Sequence, residues 1–265
     1  MSGWRGWLRG GGAMVLGAAL VFGRPAAAQP SPSRLDAILA TGRLRVGMPG
    51  DYAPFGLHDP ATGTWRGLDV DEAQAMARAL GVQLELVQTS WKTLLPDLLA
   101  DRFDIGAGGV SITLARQARA LFSTPLLRDG KTPIARCAEA EKFQTLDQID
   151  RPGVRVLTNP GGTNEVFDRA HLHAAEIVVF PDNTRIFEAL AAGRGDLMIT
   201  DATEAMLQHK LHPALCAVHP GHPFEVSEKA YLLPRDMPLQ QWVDQFLHMQ
   251  RESGTLSALI ARWLD

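Results

Sequence analysis

Two carboxylates, Asp201 and Glu204, stand where an apolar run ends and a helix-like segment begins. An acidic residue at a helix N-cap with a glutamate three positions later is typical of a capping box, and both charges are favourable at a helix N-terminus. A buried glutamate at this place could instead donate a proton as a general acid. The local pattern alone favours the cap over the acid.

Two segments of small residues could bind anions. Residues 108–113 lead into a helix that carries Arg116, so backbone N–H groups could approach an anion and the guanidinium could hold a carboxylate. Residues 159–164 precede a second helical run and lack the Lys and Ser/Thr of a phosphate-binding loop. Each segment could equally be an ordinary helix start or turn. Together they suit a small ligand that carries more than one carboxylate.

Trp91 and Phe55, the latter shortly after Asp51, could form apolar walls for a ring, although a single aromatic residue is more often part of the core. The histidines of residues 209–222 lie close to a cysteine, but two prolines interrupt the segment, and we expect no metal site there. No Ser/His/Asp arrangement can be inferred from spacing.

The N-terminus predicts export. Arg5 and Arg9 precede an apolar stretch over residues 13–22, and three alanines end at position 28, which is typical of a cleavable signal peptide over residues 1–28. The stretch is too short to span a membrane, and no cysteine stands at the cleavage point to carry a lipid. Because no twin-arginine pair is present, we expect an unfolded chain to be exported to the periplasm, without a complex cofactor.

Removing 28 of 265 residues leaves 237, enough for one large or two modest domains. A net charge of -3 with scattered basic residues gives no nucleic-acid-binding face. Cys137 and Cys216 are the only cysteines, and in an oxidising compartment they could form a disulfide or remain two buried thiols.

Short strand signals alternate with amphipathic helices, which predicts a mostly parallel sheet in an α/β fold. The alternation restarts after residues 129–131, so we expect two α/β domains with a ligand cleft between them, at the carboxyl ends of the strands. The predicted domains comprise residues 29–131 with 227–265, and residues 132–226. No low-complexity linker is present, and we expect residues 130–134 and 230–233 to be hinge strands.

Several motifs resemble known families. Residues 43–46, 50–55, 67–71 and 111–116 resemble family 3 of the periplasmic solute-binding proteins, which bind polar amino acids for transporters. Residues 127–134, 143–150, 159–165, 200–204 and 211–220 are similar to the exported cyclohexadienyl dehydratases of the same fold. The resemblance implies a two-domain, type II periplasmic-binding-protein fold. It also implies conversion of prephenate to phenylpyruvate and of L-arogenate to L-phenylalanine.

The same resemblance implies roles for individual residues. Glu204 matches the general acid, which transport receptors lack, and Asp201 matches the receptor position that holds an α-amino group. The other matches are two polar partners of the acid, an aromatic wall and a carboxylate-binding set: Asn164 and Lys131, Trp91, and Ser111, Arg116 and Thr163. We count Asp51, Phe55 and Thr113 with the substrate-binding residues, although Thr113 and Ala115 depart from the dehydratase pattern.

As an acid, Glu204 must keep its proton near neutral pH, and both burial and a neighbouring Asp201 charge would raise its pKa. Lys131 at close range would lower that pKa, so we expect it to contact a substrate carboxylate instead. The main alternative is a receptor for a polar amino acid without catalysis. The residues do not rank prephenate against arogenate, and a homo-oligomer is compatible with them.

Overall fold

The computed structural model describes residues 32–264, and the predicted signal peptide lies outside them. Within this part of the chain, no helix is both long enough and apolar enough to cross a membrane. Two large sheets, each covered by helices, carry separate hydrophobic cores.

The first sheet has the strand order β5-β1-β6-β14-β7. Its parallel part consists of β1 (Arg43–Met48), β5 (Gln83–Gln88) and β6 (Ile105–Gly106). The helix α2 (Leu68–Leu80) covers this sheet with a buried apolar face and ends at Gly81, whose φ of 69° lies in the left-handed region that favours glycine. These elements agree with the predicted βαβ pattern.

The second sheet has the order β10-β9-β11-β8-β12, with β13 also paired to β8. Its parallel strands are β9 (Arg155–Thr158), β10 (Glu176–Val179) and β11 (Leu197–Asp201). The long strand β8 (Leu127–Arg136) runs antiparallel to β11 and pairs with β12 (Leu215–Ala217) and β13 (Glu225–Lys229).

The predicted position of the first hinge, residues 130–134, is wrong. These residues lie inside β8, where Lys131 pairs with Asp201 of β11 and with Glu225 of β13, so they belong to the second sheet. The chain passes between the sheets at residues 123–126, and again at residues 230–231, between β13 and β14 (Leu232–Leu233), inside the predicted second hinge. The first crossing thus comes before the predicted boundary at residues 131/132, and the second comes after the predicted boundary at residues 226/227.

The remaining elements complete the two layers. A small antiparallel sheet over residues 51–66 packs beside the first sheet, and no sequence signal predicted it. The other elements are α1 (Arg34–Thr41), β2 (Asp51–Tyr52), β3 (Gly56–Asp59), β4 (Thr64–Arg66), α3 (Leu94–Leu99), α4 (Leu114–Gln117), β7 (Leu121–Phe122), a 3₁₀ helix (Cys137–Lys142), α5 (Leu146–Ile149), α6 (Thr163–His171), α7 (Ile186–Ala191), α8 (Ala202–Leu211), α9 (Met237–Glu252) and α10 (Thr255–Leu264).

Cys137 and Cys216 are joined by a disulfide that ties the start of the 3₁₀ helix to β12, across 79 residues of sequence. His209 lies close enough to both sulfur atoms that the three side chains resemble a metal-binding cluster, with ligand atoms within 4.8 Å of one another. Because the two sulfurs are bonded to each other, they supply no thiolates to a metal ion.

Candidate active site

Apart from Lys131, which lies within the antiparallel strand β8, the predicted site residues lie at or after the carboxyl ends of parallel strands in both sheets. They enclose a cavity of about 20 Å³ between the sheets. The lining residues are Tyr52, Trp91, Gly109, Ser111, Arg116, Asn159, Gly162, Thr163, Asn164, Asn183, Asp201 and Lys229. Six predicted site residues are among them, whereas Glu204, Lys131, Asp51, Phe55 and Thr113 are not.

Asp201 is the electrostatic centre of the cavity wall. Its Oδ1 accepts a hydrogen bond from the Lys131 ammonium at 2.9 Å, and its Oδ2 accepts one from the Lys229 ammonium at 2.5 Å. The Tyr52 hydroxyl, from the other sheet's side of the cavity, also donates to Oδ2 at 2.6 Å. Burial alone would raise the pKa of Asp201, but the two lysine charges outweigh it and hold that pKa well below its ordinary value.

The predicted capping box at α8 is wrong. Asp201 is the N-cap residue, but its side chain makes no capping hydrogen bond, because both oxygens point to the lysines and the tyrosine. The carboxylate of Asp129, from β8, takes the place of the cap by accepting the backbone N–H of Thr203 at 3.1 Å. Both members of the carboxylate pair are therefore left for other roles.

Glu204 lies in the first turn of α8 and is 1% exposed. The Thr200 hydroxyl donates to its Oε2, and the Asn164 amide donates to the Thr200 oxygen at 3.1 Å. Burial raises the pKa of Glu204 to about 8; the Asp201 charge acts in the same direction, while the Thr200 hydrogen bond and the Lys229 charge oppose it. A carboxyl group with this pKa is protonated in about 90% of molecules at pH 7.

Lys131 binds residues that neighbour the proposed acid but does not contact Glu204. Its ammonium donates to Asn164 Oδ1 at 2.5 Å and to Thr163 Oγ1 at 3.0 Å, in addition to Asp201. Since Asn164 also contacts Thr200, an unbroken series of hydrogen bonds connects Lys131 to Glu204. The proposed acid and its two predicted polar partners therefore belong to one buried network.

The first predicted anion site is already filled by the protein. The backbone N–H groups of Gly108 and Gly109 both donate to Asp69 Oδ2, at 2.7 Å each, so they are not available to a ligand. Thr113 caps α4 by accepting the backbone N–H of Arg116. The Arg116 guanidinium donates to the Ser111 carbonyl at 2.9 Å and lines the cavity, where burial lowers its pKa.

The second predicted anion site opens to the cavity. The helix α6 begins after Gly162, which provides no side-chain cap, and Gly162, Thr163 and Asn164 all line the cavity. Glu165 reaches back to accept the Gly161 N–H at 2.7 Å. The N-terminus of a nine-residue helix therefore faces the space where a ligand would sit.

Tyr52, rather than Phe55, forms the aromatic wall together with Trp91. Phe55 is fully buried and stacks on Tyr52 with ring centroids 5.3 Å apart, so it supports the wall from behind. Trp91 meets Tyr52 edge-on at 5.6 Å, and its indole N–H donates to Asp51 Oδ1 at 2.9 Å. Asp51 thus orients Trp91, and burial raises the pKa of Asp51 to about 6.

Lys229 is a buried residue of the site that the sequence did not predict. This side chain is 2% exposed, donates to Ser111 Oγ at 2.9 Å and lies 5.3 Å from the centroid of the Tyr52 ring. In the sequence it follows a mostly polar segment, residues 225–228, and no local signal marks it as buried. Thr200 and Asn159 lie in segments that the sequence predicted for the site, residues 200–204 and 159–164, but their own roles were not predicted, and Asn183 lies in a loop that no sequence signal marked.

The model of the bacterial extracellular solute-binding proteins, family 3, matches residues 44–265. The chain belongs to this family. It is 54% identical over 240 residues to the cyclohexadienyl dehydratase of Pseudomonas aeruginosa, covering 91% of this chain and 89% of that protein. The match confirms the resemblance on which the dehydratase expectation was based.

Two solved structures support the same family and fold. An ancestral cyclohexadienyl dehydratase is 48% identical, with a TM-score of 0.56 over 89% of this chain and 98% of that one. An ancestral amino acid-binding protein, described as a precursor of cyclohexadienyl dehydratase, is 31% identical, with a TM-score of 0.80 over 88% of this chain and 100% of that one. The predicted two-domain α/β fold of the type II periplasmic binding proteins is thereby confirmed.

Proposed function

We propose that this protein is a cyclohexadienyl dehydratase that converts prephenate to phenylpyruvate and L-arogenate to L-phenylalanine, with Glu204 as the general acid. The observation that carries the proposal is a buried carboxyl group, with a pKa of about 8, next to a cavity lined by cationic and aromatic side chains. The similarity to a cyclohexadienyl dehydratase over 91% of the chain supports the same activity.

The reaction needs one proton and no cofactor. The bond between the ring and its carboxylate breaks, and its electron pair enters the ring as carbon dioxide leaves. The C–O bond across the ring breaks at the same time, and Glu204 protonates the departing oxygen so that water leaves rather than hydroxide. Prephenate dianion and one proton thus give phenylpyruvate anion, carbon dioxide and water. Glu204 regains its proton from solvent.

A cavity of about 20 Å³ holds roughly one water molecule. A six-membered ring with two carboxylates therefore enters only when the two sheets move apart or the lining side chains rearrange. Tyr52 and Asp201 face each other across the cavity, and their hydrogen bond must open during this movement. The proposal requires that the widened cavity reaches Glu204, which the Asn164 and Thr200 side chains now adjoin.

The cationic groups have a clear use in this scheme. The Arg116 guanidinium and the α6 N-terminus lie on opposite sides of the cavity, so they can hold the two carboxylates of the substrate and orient its ring. Trp91 and Tyr52 provide apolar surfaces for that ring. We place the mature protein in the periplasm after removal of residues 1–28, in keeping with a family of extracellular proteins.

The test is phenylpyruvate release from prephenate by purified protein comprising residues 29–265. The Glu204→Gln variant keeps the size and hydrogen-bonding capacity of the side chain but cannot donate a carboxyl proton. We expect turnover by the wild type and a 100- to 10,000-fold lower kcat in the variant, about the usual contribution of general acid catalysis.

Calorimetric titration of prephenate into Glu204→Gln separates the two functions. Retained binding with lost turnover supports the proposal, because only the proton donor has been removed. Equal turnover by variant and wild type would contradict the role of Glu204. Wild-type protein that binds a polar amino acid tightly but releases no phenylpyruvate would instead be a transport receptor.

A further inference from the structure

The geometry points to Asp129 as a positioning residue for the proposed acid: it caps α8 from the neighbouring strand β8, so that the Glu204 carboxyl is not drawn into the cap and remains a proton donor. This inference rests on the proposed function, because it concerns how that acid is kept in place. The sequence did not predict a role for Asp129, which is not among the residues that line the cavity. It acts on Glu204 through the start of α8.

Asp129 is buried, with 6% of its surface exposed, and it binds the first turn of the helix. Its Oδ1 accepts the backbone N–H of Thr203 at 3.1 Å and the backbone N–H of Gly130 at 2.8 Å. Its Oδ2 has no hydrogen-bond partner within residues 32–264. A buried oxygen without a partner is unfavourable, so stability alone gives no reason for a carboxylate at this position.

Glu204 occupies the third position of α8, where a carboxylate can accept free backbone N–H groups at the helix start, as in a capping box. The N-cap residue, Asp201, makes no capping bond, because its oxygens bind two lysines. Without Asp129, a buried N–H group of the first turn would lack an acceptor, and Glu204 is the remaining carboxylate in that turn. Such a bond would stabilise the ionised carboxylate and lower its pKa, whereas a general acid at neutral pH needs a raised pKa.

These contacts stay within the second sheet and the helix that follows β11. Asp129 belongs to β8, which pairs with β11 up to Asp201, and α8 begins at the next residue. The hydrogen bond from Thr200 to Glu204 also joins β11 to α8. The cap by Asp129 therefore persists when the two sheets move apart to admit a substrate, unlike the contacts that cross the cavity.

Other charges act on both carboxyl groups. The titratable groups around Asp129 and Glu204, on β2, β8, β11 and β13, are Asp51, Tyr52, Lys131, Asp201 and Lys229. Burial, and then the Asp201 charge, raise the pKa of Asp129, while the Lys229 charge and the two backbone hydrogen bonds act in the opposite direction. All these groups remain when Asp129 alone is replaced, so a change in the titration of Glu204 can be assigned to Asp129.

The experiment compares kcat/KM for prephenate at pH 6 and pH 9 in the wild type, Asp129→Ala and Asp129→Asn. Both variants lose the carboxylate charge, but only asparagine keeps an oxygen that can accept the Thr203 N–H. In Asp129→Ala the alkaline limb should move to lower pH by about one unit, which corresponds to the usual strength of a helix cap. The ratio of kcat/KM at pH 6 to that at pH 9 should therefore rise about tenfold. Asp129→Asn should stay within about threefold of the wild-type ratio, because its cap is retained.

Asp236→Ala is the matched control, since it removes a cap of the same kind from α9, where Asp236 Oδ1 accepts the Leu239 N–H at 2.9 Å. Its ratio should equal that of the wild type. A merely structural role of Asp129 would lower kcat/KM by the same factor at both pH values, and that outcome overturns the inference. An equal shift in Asp129→Ala and Asp129→Asn also overturns it, because the lost charge rather than the lost cap would then be the cause.

A titration without turnover distinguishes failure of the inference from failure of the proposed function. In protein labelled with ¹³C at the glutamate carboxyl groups, the NMR signal that is absent from Glu204→Gln belongs to Glu204. Its midpoint should be about one pH unit lower in Asp129→Ala than in the wild type and Asp129→Asn. If no protein releases phenylpyruvate but this shift is found, the dehydratase function fails and the inference stands. Equal midpoints in all three proteins overturn the inference. Asp129→Leu, which also lacks an acceptor but fills the space, replaces Asp129→Ala if that variant does not fold.

Discussion

Replacing Glu204 with glutamine should change how the stability of the protein depends on pH, independently of any catalysis. The folded protein holds the Glu204 proton up to a pKa of about 8, whereas the ordinary value is 4.5. Between these two values the folded state binds more protons at this position than the unfolded state does. The free energy of unfolding of the wild type therefore loses this contribution as pH rises from 4.5 through 8.

The raised pKa of Glu204 determines how strongly the free energy of unfolding changes with pH. Each pH unit in this window costs about 1.4 kcal/mol of wild-type stability, and Glu204 is buried, so solvent screening does not reduce this figure. Glutamine does not titrate, and it can still accept the Thr200 hydroxyl. We therefore expect the stability of Glu204→Gln relative to the wild type to increase by about 3 kcal/mol between pH 5 and pH 7.

Urea unfolding followed by tryptophan fluorescence at several pH values measures this difference. Other buried carboxyl groups titrate in both proteins, so their contributions cancel. Glu139→Gln is the control, because hydrogen bonds from Lys142 and Arg136 lower the pKa of Glu139 and its difference from the wild type should be constant above pH 5. A constant difference for Glu204→Gln over the same range would refute the raised pKa on which its role as an acid depends.

Three further perturbations test other parts of the structure. Thr200→Val removes the hydrogen bond that lowers the pKa of Glu204, so the alkaline limb of the kcat/KM profile for prephenate should move to higher pH; an unmoved limb would contradict that bond. Tyr52→Phe removes the hydroxyl that donates to Asp201 across the cavity, so the closed state loses a hydrogen bond and KM should rise roughly three- to tenfold in steady-state kinetics. An unchanged KM would show that closure does not depend on this hydrogen bond. Replacing both Cys137 and Cys216 with serine should lower the free energy of unfolding in urea by about 2–4 kcal/mol and leave kcat/KM within about twofold.

Local signals in the sequence predicted most of the elements that carry the site. The alternation of short strand signals with amphipathic helices predicted βαβ units, and the structure has helix α2 at Leu68–Leu80 between the parallel strands β1 and β5. The parallel strands of both sheets were predicted in the same way, because each contains a short apolar run. Since ligands bind at the carboxyl ends of such strands, the segments around the cavity could also be predicted.

The partners within the site could not be predicted, because they come from distant parts of the chain. The spacing of Asp201 and Glu204 indicated a capping box, but Lys229 lies 28 residues away and Lys131 lies 70 residues away from the carboxylate they bind. Likewise, the small residues at positions 108–109 indicated a ligand site, while Asp69, 39 residues earlier, occupies their N–H groups. A local sequence pattern can indicate that a carboxylate or a backbone N–H group will be buried, but it does not identify the distant residue that binds it.

The pH dependence of kcat/KM for prephenate tests the central claim most directly, since this quantity reports the ionisation of groups in the free enzyme. Prephenate itself stays a dianion from pH 6 to pH 10. If Glu204 donates the proton, kcat/KM is constant between pH 6 and about 7.5 and falls about tenfold per unit above pH 8, following the pKa of about 8. A profile that is flat to pH 10, or that rises above pH 8, would contradict a protonated Glu204 as the acid.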